Sequence, residues 1–131
     1  MKHAEAVQLT RLVHAICPQQ AIDQYTPDAW SELLGDLRTQ DCMAAVRNLG
    51  KRQVFIAPAE IRTEVRRIRN ERLAATPDPI PPHDLTPVQT IEWLRNTRKA
   101  IADGTYTEAD AGELKPRDMR QIEQTLREVE A

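Results

Sequence analysis

Apolar side chains recur along this chain at spacings of three and four, the period of an amphipathic helix, and most of these runs open and close on recognisable signals. Over residues 4–17, Ala6, Leu9, Leu12, Val13 and Ile16 share one side and predict a first helix that ends at Cys17-Pro18. Thr26-Pro27-Asp28 combines a hydroxyl N-cap, a proline at the first helical position and an acid in the first turn. It predicts a second helix with Trp30, Leu33, Leu34 and Leu37 as its buried stripe. Thr39 is placed to cap a third helix whose Cys42, Ala45, Val46 and Leu49 face inward, and Gly50 to stop it in the left-handed conformation. Val54-Phe55-Ile56 is too short to define a sheet and reads as an extended connection that plugs the core.

A fourth helix is expected over 58–73. Pro58 suits the first helical position because its missing N–H has no intrahelical partner there, and Glu60 faces the positive end of the helix dipole. Ile61, Val65 and Ile68 form its apolar seam, and Arg62, Arg66 and Arg69 fall together on a neighbouring face. Glu60, Glu64, Arg67 and Glu71 make a mixed flank able to pair within itself. Like charges one turn apart cost an isolated helix about 0.2–0.5 kcal/mol, so the arginine row points to something acidic that meets it.

Between Thr76 and Pro87 the prolines Pro77, Pro79, Pro81, Pro82 and Pro87 force extended backbone and predict a linker. Thr86-Pro87 then repeats the Thr-Pro start, with Val88, Ile91, Leu94 and Ile101 as the seam of a helix stopping near Asp103-Gly104. Pro116 opens a last predicted helix bearing Met119, Ile122, Leu126 and Val129. The predicted fold class is therefore all-α: a small four-helix amino-terminal domain over residues 1–75, a proline-rich linker over 76–87, and an acidic amphipathic helical tail over 88–131. Isolated tail helices of this length need a surface to pack on, their own, the first domain's or a partner's.

Composition narrows what such a domain can do. Aromatic residues make up 4% and charged residues 29% of the chain, which implies a modest core under a well-solvated surface. The net charge of −2 resolves into −3 over residues 1–46, +5 over 47–73 and −4 over 74–131, so basic charge is concentrated around the fourth helix. No apolar run is long enough for a signal peptide or a membrane span, and a cytoplasmic protein is expected. Cys17 and Cys42 read as reduced core thiols.

Candidate chemistry is sparse. The single serine, Ser31, lies within a helix, and His3, His14 and His83 are scattered, which is poor material for a nucleophile with a positioned base. His14 and Cys17 share a helix face with only Cys42 as an obvious further metal ligand, and the four glycines form no phosphate loop. The expectation is a non-enzymatic protein with no cofactor, metal or small-molecule substrate. The candidate binding residues are Arg62, Arg66 and Arg69, with Lys51 and Arg52 extending the footprint and Trp93 as an aromatic anchor. Three readings of the arginines stand side by side: phosphate contacts on DNA, ion pairs with an acidic protein or the chain's own tail, and a solvated helix face.

The order of features adds a further expectation. A leucine-rich first helix, Thr26-Pro27-Asp28-Ala29-Trp30 leading to Leu33-Leu34-Gly35-Asp36-Leu37, an Ala44-Ala45-Val46 helix, then Phe55-Ile56-Ala57-Pro58-Ala59-Glu60-Ile61-Arg62 and an arginine-rich helix resembles the bacteriophage replicative-helicase loader and inhibitor family over residues 4–73. The resemblance implies a helical amino-terminal domain and a carboxy-terminal region that engages a DnaB-type hexameric helicase. It further implies suppression of the helicase's ATPase and its delivery to an origin through a phage initiator protein. The family's tail pattern is poorly ordered, whereas residues 86–102 and 116–129 here are periodic. A small DNA-binding regulator and a phage structural or assembly protein are the alternatives.

Overall fold

The computed structural model describes residues 1–106, and among these the protein is all-helical, with five helices and no strand. The helices are α1 (His3–Ile16), α2 (Thr26–Leu34), α3 (Thr39–Gly50), α4 (Pro58–Ala75) and α5 (Pro87–Asp103). The helix foreseen from Pro116 lies outside the described residues. The chain divides into two compact units, Met1–Ile68 and Arg69–Ala131, and the division falls inside α4. Residues 76–86, which hold the proline-rich stretch, contain no helix or strand. No helix among the described residues is long and apolar enough to cross a membrane.

In the first unit α1 packs against α2 and α3. The core joins Leu9, Val13 and Cys17 with Trp30, Leu34, Cys42, Ala45, Val46, Leu49, Ile56, Ile61 and Val65, so the first half of α4 contributes Ile61 and Val65 to it. Burying the apolar stripe of each helix at about 25 cal/mol per Å² is what stabilises elements too short to persist alone. Thr10 is buried among these groups because its hydroxyl donates to the carbonyls of Ala6 and Val7 one turn back.

Several local expectations are corrected. Leu33 is 55% exposed, and Pro27, Trp30 and Leu34 form the buried stripe of α2. The cap of α2 comes from outside the helix: the Asp23 carboxylate accepts from the backbone N–H groups of Tyr25 at 2.8 Å and Thr26 at 3.0 Å. Those bonds to its charged form hold the Asp23 carboxyl below its ordinary value. Gly50 is not a left-handed stop, since α3 runs through it and Lys51 continues right-handed at φ −74°, ψ −20°. Gly50 is required for close approach instead: a Cβ there would sit 2.3 Å from Cγ2 of Ile16.

In the second unit α5 opens on a capping box, with Thr86 and Gln89 each bonding the other's backbone N–H. It closes on Gly104 at φ +74°, the left-handed stop that only glycine adopts without strain. Arg72 donates to the carbonyl of Ala102 at 2.8 Å and so satisfies one of the orphan acceptors at the end of α5. The predicted Val88/Ile91/Leu94/Ile101 seam is rotated. Val88 and Ile91 are well exposed, while Thr90, Trp93, Leu94, Thr97 and Ala100 are half-buried and lead at helical spacing to buried Ile101.

Candidate interaction site

The three arginines of α4 do not act as one row. Arg62 makes a bidentate pair with Asp36, at 2.9 and 2.6 Å, and also donates to the carbonyl of Leu33 at 2.6 Å. It therefore fastens α4 to the end of α2, and the fork geometry suits guanidinium rather than ammonium. The guanidinium beside Asp36 pulls that carboxyl down to about 2, and the carboxylate in turn raises Arg62. In the second unit Arg69 pairs with Asp103 through a short contact, both side chains largely covered. Arg66 alone is directed to solvent, with no partner among the described residues.

The sequence offers Glu64 as one member of a mixed, self-pairing flank, and its burial departs from that. Its side chain is nearly inaccessible and accepts from Asn48 at 3.3 Å, from Arg52 at 3.2 Å and from Arg67 Nε and Nη2 at 3.0 and 2.7 Å. The Arg67 bond, followed by the other donors, keeps the Glu64 carboxyl below its ordinary value despite burial. Arg52 is thus held by one nitrogen to the core side, while its side chain stays 59% accessible. Only the Glu64–Arg67 spacing of three was legible as a pair in advance; Asn48 and Arg52 come from another helix and its exit.

The connection from α3 to α4 is fixed at several points. Arg52 and Gln53 both donate their backbone N–H to the carbonyl of Leu49 at 3.0 Å, which finishes α3 tightly. Gln20 grips Ile56 as a strand would, its Nε2 donating to the Ile56 carbonyl and its Oε1 accepting the Ile56 N–H, each at 2.8 Å. Gln53 Nε2 donates to the carbonyl of Phe55 at 2.8 Å and to Glu60 at 2.5 Å. Glu60 also accepts the Ala57 N–H at 3.0 Å, the acidic half of a capping box. The bonds from Gln53 and then Ala57 keep the Glu60 carboxyl lowered.

This clamping corrects the expectation that Val54-Phe55-Ile56 plugs the core as a unit. Ile56 alone enters it; Phe55 is 54% and Val54 74% exposed. With Ile56 turned inward and held by Gln20, Phe55 beside it faces away, and the bend at Val54 turns that side chain out as well. Val54 and Phe55 line one solvent-open concavity of about 540 Å³ with Gly50, Lys51, Arg52 and Gln53. Sequence reading brought Lys51 and Arg52 into the candidate set and missed Phe55, because the apolar run gave no sign of which residue would be turned out.

The remaining candidates lie elsewhere. Trp93 is half-buried on α5 in the second unit. His14 is exposed, whereas Cys17 and Cys42 are both buried thiols, and burial pushes Cys42 up to about 11. Ser31 donates to the carbonyl of Met1. Comparison with protein-family models, with curated proteins and with solved structures finds no match to this chain.

Proposed function

We propose that the chain is a non-enzymatic adaptor of phage replication that binds a DnaB-type hexameric helicase, restrains it and assists its loading at an origin, in contact with a phage initiator protein. In this reading a four-helix amino-terminal domain over residues 1–75, a linker over 76–87 and a helical tail divide the work in the cytoplasm of the host. The observation that carries a binding role is the pre-set loop of Lys51, Arg52, Val54 and Phe55, which displays apolar and cationic groups together on a helical scaffold. The helicase as partner is supported by the resemblance in the order of helices over residues 4–73.

Size-exclusion chromatography of the full chain with the cognate helicase tests the proposal directly. A shared peak at micromolar concentration and a lowered helicase ATPase are expected. Separate peaks with unchanged ATPase refute it. The reading as a duplex-binding regulator loses ground, because Arg62 and Arg69 spend their guanidinium groups on Asp36 and Asp103. Phosphate binding would then fall to Arg66 with Lys51 and Arg52, few contacts for duplex affinity.

A further inference from the structure

We propose that the Lys51–Phe55 loop is a docking site for an acidic protein segment that presents an apolar side chain, which Val54 and Phe55 receive while Arg47, Lys51 and Arg52 pair with its carboxylates. The loop is rigid in a way its exposure does not require. Gln20 fixes Ile56 through two bonds and Gln53 fixes Phe55 through its carbonyl, so little conformational freedom is left to lose when a partner arrives. Exposing Val54 and Phe55 side by side forfeits burial worth about 1.5–3 kcal/mol for each such side chain.

Charge decides which partner fits. Several cations are met by an acid of the fold: Asp36 for Arg62, Glu64 for Arg67 and, through one nitrogen, for Arg52, and Asp103 for Arg69. Two beside this loop are not. Arg47 and Lys51, four apart on one face of the end of α3, are exposed and have no side-chain partner among the described residues, and the Arg52 side chain stays more than half accessible. Cations at a helix C-terminus complement its dipole, which accounts for their sign but not for the exposed Val-Phe pair beside them.

Single-stranded nucleic acid would also welcome cations around an aromatic ring. Two observations favour protein. Val54 is the more exposed of the apolar pair and offers no stacking face. The groove on the other side of Arg52 and Gln53 is lined in part by Glu60, whose carboxylate would oppose a phosphate chain running on from the loop. A protein segment needs only a short contact and can place its own donors against Glu60. The inference deepens the adaptor reading, which rests on this same loop, and does not require that the partner be a helicase.

Random peptides displayed on phage are panned against the immobilised full-length chain, and the enriched peptides are synthesised. Their affinity is measured by fluorescence anisotropy for the parent chain and for Phe55→Ser, Val54→Ser, Lys51→Glu and Tyr25→Ser, with circular dichroism melts alongside. The expected result is an enriched pattern of Asp or Glu flanking an apolar residue. Binding should weaken about tenfold or more in the loop variants and stay unchanged in Tyr25→Ser, an exposed aromatic outside the loop. Failure to enrich any peptide, a neutral or basic pattern, or equal binding by the folded loop variants overturns the proposal. Tighter binding of an oligothymidylate, lost in Phe55→Ser, overturns it in favour of nucleic acid. Because no helicase is present, this outcome is read separately from the co-elution experiment.

Discussion

Replacing Gly50 by alanine should destabilise the first unit, although the same change inside an unconstrained helix stabilises by up to about 1 kcal/mol. The added Cβ would lie 2.3 Å from Cγ2, 3.6 Å from Cβ and 3.7 Å from Cδ1 of Ile16, against an ordinary carbon contact of about 3.5–4.0 Å. Cγ2 branches from Cβ, so it retreats only if χ1 rotates or the helices part. A β-branched residue in a helix has one strongly preferred χ1, and Ile16 already packs against the core. Overpacking of this kind costs about 1–3 kcal/mol. With part of the helix gain set against it, the net loss is about 1–2 kcal/mol, or roughly 4–8 °C in Tm per kcal/mol for a unit of this size.

The assay is urea unfolding followed by Trp30 fluorescence in a Trp93→Phe background, so that only the first unit is observed. Gly50→Ala is compared in the parent and in Ile16→Ala, which removes the obstructing methyl. The penalty should vanish or reverse in the Ile16→Ala background, giving a coupling of about 1 kcal/mol or more. A Gly50→Ala protein at least as stable as its parent, or two backgrounds that respond alike, would refute the close-approach reading and restore a merely terminal glycine.

Further outcomes follow from the charged groups and the thiols. Glu64→Ala should lower stability by about 1.5–3 kcal/mol, the worth of hydrogen bonds to a charged group, because Arg52 and Arg67 can rehydrate and spare the larger cost of a stranded buried charge; urea midpoints measure it. The folded-state carboxyls of Glu64 and Asp36 lie below their ordinary values of 4.5 and 3.8, so their stabilisation is complete above those values and is lost as pH falls through the folded ones. The urea midpoint should therefore hold from about pH 7 to 5 and drop toward pH 2, less steeply in Glu64→Gln. Arg62→Ala should lower the midpoint visibly and Arg66→Ala hardly at all, since only the first carries internal bonds; equal effects would restore a common role. With its thiol pushed up to about 11 and buried, Cys42 should resist iodoacetamide at pH 8 in the native chain and react once unfolded, as mass spectrometry of its peptide would report.

How much of the site was legible in the sequence depends on the range of the interaction that fixes each residue. The start of α4 at Pro58 and the inward faces of Cys42, Ala45, Val46 and Leu49 needed only neighbours within four positions. The Asp36 partner of Arg62 is 26 residues away and the Asp103 partner of Arg69 is 34, so the sequence showed a cationic row where the structure has two fastened arginines and one exposed. Glu64 looked like half of a surface pair because its spacing to Arg67 was visible, while the burial that makes it a hub comes from α3 and its exit.

By itself the sequence determined the helical class, the five described helices to within a few residues and the proline-rich break, because helix period and proline geometry are local properties of the backbone, whereas the caps foreseen at Thr26 and Thr39 did not form. Tertiary structure alone decided which face of α5 is covered, that Gly50 serves contact with Ile16 rather than a turn, and that Phe55 points outward. Each of those depends on what the rest of the chain places alongside. For Phe55 the decisive neighbour is Gln20, which by bonding both polar groups of Ile56 settles which of three adjacent apolar residues enters the core.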